Sequence, residues 1–145
     1  MDSFPIFVGE GTGGKSIFSH KLTVIFGPNG PNKESMLDFF KGQYTSEEIG
    51  EISTEMLRPG ETVDEKLAQL EGKKLVFIKD FDSWDQIDGG LLKTVHGAES
   101  YYVRTGDAPG MMKTIDTKLV ITTSNDPQLI CSDKSLLSRI NIVGC

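Results

Sequence analysis

The chain has 145 residues, with 15 Lys and Arg against 21 Asp and Glu for a net charge of −6, which suits one domain with a sizeable core and argues against a surface that coats nucleic acid throughout. No apolar run is long enough to span a bilayer and no signal-peptide pattern opens the chain, so a soluble intracellular protein is expected. Its two cysteines, Cys131 and Cys145, lack a metal-ligand spacing and read as free thiols in a reducing compartment.

Residues 1–145 read as a single domain that begins and ends at strands, as an excised core or a truncated product would. Phe4-Pro5-Ile6-Phe7-Val8 is an apolar run suited to a buried strand, and Gly9-Glu10-Gly11-Thr12-Gly13-Gly14-Lys15-Ser16 follows it. That stretch meets the full G-x-x-x-x-G-K-[ST] pattern of a phosphate-binding loop. Gly9, Gly11, Gly13 and Gly14 let backbone N–H groups converge on the anion, Lys15 reaches the terminal phosphates, and Ser16 offers a hydroxyl to Mg²⁺. From Ser16 the apolar residues Phe18, Leu22 and Ile25 fall at helical spacing, which predicts strand, glycine turn and helix; Leu22 to Phe26 also reads as a strand, and periodicity alone does not choose. The bland alternative for the first turn is a surface glycine loop.

A second glycine turn, Gly27 to Ser35, also leads to a lysine. It places Asn32 where the last glycine belongs, Glu34 where the hydroxyl belongs, and Pro28 and Pro31 where backbone donors are needed. Gly27-Pro28 therefore reads as a helix stop, with a new helix from Asn32 through Phe40 that ends at Gly42. If Leu22–Phe26 is a strand, this second turn becomes the strand-following loop and the assignment of the first weakens.

Further along, Ile49–Ile52 predicts a short strand, and Thr62–Leu70 a helix with Thr62 and Glu65 in capping-box register and Gly72 as its stop. Lys74–Ile78 is continuously apolar after its lysine, as a parallel strand covered on both faces should be. Gln86–Val95 predicts a helix with Ile87, Leu91 and Leu92 inward. Tyr101–Arg104 and Met111–Lys113 flank a glycine-containing turn and predict a β-hairpin. Lys118–Thr123 predicts a buried strand, Ser132–Ser138 a capped helix and Ile140–Val143 a last strand. Strands alternating with helices predict an α/β domain with a mostly parallel sheet.

Three strand ends supply candidate chemistry. Asp80, then Asp82, follows the Leu75–Ile78 strand and is placed to hold Mg²⁺ and orient a water beside a triphosphate; a solvated acidic turn with Asp85 and Asp88 is the alternative. Asn125 follows the Lys118–Thr123 strand with an amide that both donates and accepts, and Asn-Asp-Pro is equally a common turn. Arg139 reads locally as a complement to a helix C-terminus.

The order of these pieces resembles the superfamily 3 helicases, above all the poxvirus and phage or plasmid primase-helicase branch. The likeness lies in Gly9–Ser16, the acidic strand end at Asp80, the Leu92-Lys93-Thr94-Val95-His96-Gly97-Ala98-Glu99 stretch, Tyr102-Val103-Arg104, the Lys118–Pro127 segment and Arg139–Val143. It implies a P-loop NTPase of the AAA+ type, a three-layer domain with a five-stranded mostly parallel sheet and a hairpin before the sensor strand. It also implies an ATP- and Mg²⁺-dependent ATPase that translocates on single-stranded nucleic acid, DNA favoured, in viral, phage or mobile-element replication. The full-length protein would form a homo-oligomeric ring, a hexamer, without a membrane, in host cytoplasm or nucleus if viral. By that resemblance Lys15 and Ser16 bind phosphates and Mg²⁺, Asp80 with Asp82 is the Walker B acid, Asn125 the sensor and Arg139 an arginine finger for a neighbour. Arg104 and Lys113 would lie near a single strand; a solvated surface hairpin is the alternative. Asp80 stands where the branch usually has Glu, and Ala98 and Glu99 depart from its Gly and Asp. The competing readings are a hydrolysis-deficient nucleotide-binding assembly module, an RNA-virus-type NTPase and a small-molecule kinase.

Overall fold

The computed structural model describes residues 18–27, 32–97, 100–103 and 109–144. The first predicted strand, the Gly9–Ser16 turn and Arg104 lie outside the described residues.

Five parallel strands form one sheet. In chain order they are β1 (Leu22–Phe26), β2 (Ile49–Glu51), β3 (Leu75–Ile78), β6 (Lys118–Thr123) and β7 (Asn141–Gly144), arranged in space β2-β3-β6-β1-β7. A separate antiparallel hairpin joins β4 (Ser100–Val103) to β5 (Met111–Thr114), with Tyr102 opposite Met112. Among the described residues the helices are α1 (Lys33–Phe39), α2 (Val63–Ala68), α3 (Gly89–His96), α4 (Pro127–Ile130) and α5 (Lys134–Leu137), and single 3₁₀ turns cover Thr54–Leu57 and Trp84–Gln86. Among the described residues no helix is long and apolar enough to cross a membrane.

The sheet corrects one sequence expectation with consequences for the site. Ser16 does not open a helix that runs to Ile25, because residues 22–26 are β1, paired with β6 on one side and β7 on the other. The helical reading would bury one stripe only, Phe18, Leu22 and Ile25. As a central strand the segment buries both faces: Leu22 and Val24 join one apolar cluster and Ile25 the other. The β-branched run Thr23-Val24-Ile25 also prefers the extended chain, where its χ1 restriction costs least.

Side-chain alternation divides the core. Leu22, Val24, Val76, Ile78, Leu119 and Ile121 pack against Leu67 of α2, Leu91, Leu92 and Val95 of α3, and Leu136 of α5. Ile25, Leu75, Phe77 and Val120 pack against Met36 of α1 with Phe18 and Phe40. Helices thus cover both faces, as the continuous apolar strands require.

Local signals were good guides where hydrogen bonds close locally. Thr62 and Glu65 form the predicted capping box at the start of α2, and the hairpin forms. The predicted Gln86–Val95 helix is instead a 3₁₀ turn followed by α3, whose N-cap is Asp88 accepting from the Leu91 N–H at 3.2 Å. Asp126-Pro127, read as a turn, opens the short helix α4.

Asp133 caps α5, and its carboxyl lies below the ordinary carboxylate range because it accepts the Leu136 N–H, with Lys93 nearby as a further cause. A carboxyl depressed in the fold contributes stability that is present above its ordinary value of 3.8 and is lost as pH falls through the folded value. Asp133→Asn keeps a capping oxygen without a titrating charge. Its thermal midpoint should therefore fall less steeply with acidification below about pH 4 than that of the parent, by circular-dichroism melts across that window; an identical acid limb would reject the assignment.

Candidate nucleotide edge of the sheet

Parallel sheets place ligands beyond the carboxyl ends of their strands, near a point where strand order reverses. Here β1, followed by its connection to α1, lies between β7 and β6, and β6 lies between β1 and β3. The three adjacent strands β3, β6 and β1 end respectively in Lys79-Asp80, Ser124-Asn125 and Gly27. The fold therefore brings Asp80 and Asn125 to one edge, together with Gly27, where β1 leads toward α1.

The connection runs from Gly27 to Asn32 and delivers Lys33 as the first residue of α1. Gly27 has φ +132°, a conformation that L side chains rarely adopt, so glycine is required where the chain leaves the strand. Its N–H donates to the Thr123 carbonyl at 3.0 Å, which ties the start of the connection to the end of β6. Lys33 is half-buried. Among the described residues no carboxylate pairs with its ammonium. Asn32 is the N-cap, and its side-chain oxygen accepts the Ser35 N–H at 2.8 Å. A glycine there would leave that donor for a phosphate. Asn32 fills it from within the chain.

The remaining predicted residues separate clearly. Asp80 is exposed, with φ +60° and its N–H donating to Thr122 Oγ1 at 3.0 Å. Asp82 is engaged elsewhere: Ser83 Oγ donates to its Oδ1 at 3.0 Å and Arg58 lies 3.5 Å from the same oxygen. Asn125 is exposed and lines an open groove with Asp82, Trp84, Asp85 and Ile130. Arg139 and Lys113 belong to the opposite edge. Arg139 precedes β7, whose first residue Asn141 pairs with Thr23, so it sits at the amino edge of the sheet, its Nε buried and without a hydrogen-bond partner among the described residues. Lys113 Nζ bonds Glu71 Oε2 at 2.6 Å, beside the segment that enters β3. Strands of four to six residues put the two edges roughly 15–20 Å apart.

The donors suit a triphosphate better than its magnesium. Mg²⁺ is held by one or two carboxylates together with phosphates and a loop hydroxyl. Asp80 is one such carboxylate, but Glu34 follows Lys33 where the hydroxyl belongs, and Lys79 is the first residue beyond β3, with Glu51 Oε2 4.0 Å away. Among the described residues no group of three or more His, Cys, Asp or Glu is placed to hold a metal ion. The residues at this edge do not fit the ion well.

Sequence reasoning gave no role to three residues that border this edge: Lys79, Thr122 and Thr123. Both threonines are buried at the end of β6, and a polar pair closing an otherwise apolar strand was the available signal.

No protein-family model matches the chain, and no curated protein matches it. Among solved structures its fold is similar to that of the apo C-terminal region of NrS-1, with a TM-score of 0.52 and 17% identity over 88% of this chain. The chain spans 29% of the length of that neighbour.

Proposed function

We propose that the chain is the nucleotide-binding core of a ring-forming, superfamily 3 helicase-like P-loop protein in nucleic-acid replication, and that its β1–α1 connection binds ATP while hydrolysing it slowly or not at all. The observation that carries this reading is the shared edge: the β1–α1 connection with Lys33, the Asp80 turn and the Asn125 turn follow three neighbouring parallel strands. The strand order β2-β3-β6-β1-β7, the hairpin before β6 and the likeness to the NrS-1 C-terminal region support the P-loop class. Asn32, Glu34 and Lys79 each remove something that hydrolysis uses, namely a free backbone donor, a metal-binding hydroxyl and negative charge for Mg²⁺. Binding needs less, since a lysine and a few backbone donors hold a phosphate.

In this reading Arg139 cannot reach its own chain's nucleotide across the sheet. It would serve a neighbour in a head-to-tail assembly, the arrangement that closes rings. Single-stranded DNA is the favoured polymer, and the hairpin with Lys113 is its nearest candidate contact. A second reading keeps an active Mg-ATPase and rests on the complete phosphate-loop pattern at Gly9–Ser16.

Phosphate release over a protein concentration series, with and without single-stranded DNA and with mass followed by light scattering, decides between them. Bound ATP with release near background is the expected result. Release that rises with concentration, is stimulated by DNA and disappears in Lys15→Ala would establish the second reading.

A further inference from the structure

β6 ends in two consecutive threonines that touch every turn at the candidate edge. Thr122 and Thr123 are 5% and 3% exposed. Thr122 Oγ1 accepts the Asp80 N–H at 3.0 Å, and its carbonyl accepts the Phe81 N–H at 2.9 Å. These two bonds bracket Asp80, which at φ +60° is the one non-glycine residue in the left-handed region among those described. Such a conformation is uphill for a residue with a Cβ and persists where surrounding bonds over-determine it.

Thr123 faces the other way along the same edge. Its carbonyl accepts the Gly27 N–H at 3.0 Å, and its Oγ1 accepts the Trp84 indole N–H at 3.3 Å and, at a long 3.5 Å, the Asn125 N–H. Trp84 packs edge-on against Phe81, with ring centroids 5.0 Å apart. Phe81 is in turn held by Thr122. The register explains why one dipeptide can do this, since β6 lies between β1 and β3 with Thr123 opposite Phe26 and Ile121 opposite Ile78.

We infer that Thr122 and Thr123 are positioning residues that join Gly27, at the end of β1, to the Asp80 turn and to Trp84, so that occupancy beside Gly27 is felt at both. The inference rests on the nucleotide reading for its ligand, but the hydrogen-bond relay itself does not. Thr122 sets the Asp80 backbone. Thr123 links the start of the connection to the indole. Because Trp84 is the single tryptophan of the chain, its indole N–H resonance and its emission are read without overlap from another indole.

The test uses the full chain with Thr122→Val, Thr123→Val and the hydroxyl-retaining Thr122→Ser and Thr123→Ser. Without nucleotide, Thr122→Val should speed amide exchange at Asp80 by roughly tenfold and leave the Trp84 indole N–H nearly unchanged, while Thr123→Val does the reverse. With ATP, followed by calorimetry, the parent should show a change in Trp84 emission on binding. Thr123→Val should bind ATP within about threefold of the parent yet lose the emission change, and Thr123→Ser should restore it. Unchanged exchange at Asp80 in Thr122→Val, or a full emission response in Thr123→Val, overturns the inference. If the parent itself binds no ATP, the nucleotide reading fails, and the exchange measurements still decide whether the threonines position these turns.

Discussion

Lys33→Ala should lose most of the chain's ATP affinity, whereas Lys15→Ala should retain it. A charge-assisted contact between an ammonium and a phosphate is worth about 1.5–3 kcal/mol, or roughly ten- to 150-fold in dissociation constant. Lys33 begins α1 directly after the connection from β1, and no described carboxylate competes for its charge. Lys15 lies outside the described residues, and the described chain reaches β1 through a turn at Phe18–Lys21. Calorimetric titration of both variants checks this. The reverse order of affinities would move the phosphate site to Gly9–Ser16. A companion variant, Asn32→Gly, should strengthen binding, because it frees the Ser35 N–H that Asn32 now occupies.

The largest stability effect is expected at Lys66. Its ammonium is buried, 2% exposed, and donates to Asp88 Oδ2 and to the Arg58 carbonyl, each at 2.6 Å. Asp88 in turn caps α3 through Oδ1 and donates its own N–H to Leu57 at 2.7 Å. One ion pair therefore locks α2 to the start of α3 and to the turn after β2. Lys66→Ala leaves the Asp88 carboxylate with no counter-charge in a largely buried place. Removing one partner of such a pair costs about 3–5 kcal/mol, a drop of roughly 6–20 °C in midpoint for a domain of this size. The double variant Lys66→Met with Asp88→Asn should recover most of the loss, since it removes both charges, keeps the volume and leaves an amide oxygen as cap. Denaturant unfolding of the single and double variants measures the difference. A double variant no more stable than Lys66→Ala would show that packing, not the unpaired charge, dominates.

These two residues show where reading the chain alone succeeds and where it stops. Thr62 and Glu65 announced the capping box of α2, and the buried runs at Leu75–Ile78 and Lys118–Thr123 announced strands, because both signals are written within a few residues. The acidic turn at Asp80 and the amide at Asn125 were also visible as polar strand ends. Nothing within ten residues of Lys66 shows that Asp88 will be its partner, and a lysine in an amphipathic helix ordinarily points to water. Nor could spacing reveal that Thr122 and Thr123 face Asp80 and Trp84, since those contacts join residues about 40 apart in the chain.

The choice between the two glycine turns followed the same division. The chain by itself determined an α/β domain with alternating elements, two lysine-led turns of unequal completeness, an antiparallel hairpin and the polar ends of two buried strands. Pattern matching favoured the first turn because its glycines and serine satisfy a phosphate loop. Which turn follows a central strand depended on whether Leu22–Phe26 buries one stripe or two faces, and a five-residue apolar run has no internal answer. The tertiary structure decided it. β6 and β7 flank those residues as hydrogen-bonding partners and the two clusters cover both sides, so the extended chain buries apolar surface on both faces and pairs with a strand on either side, and Gly27, the first residue of the second turn, stands at the sheet's carboxyl edge.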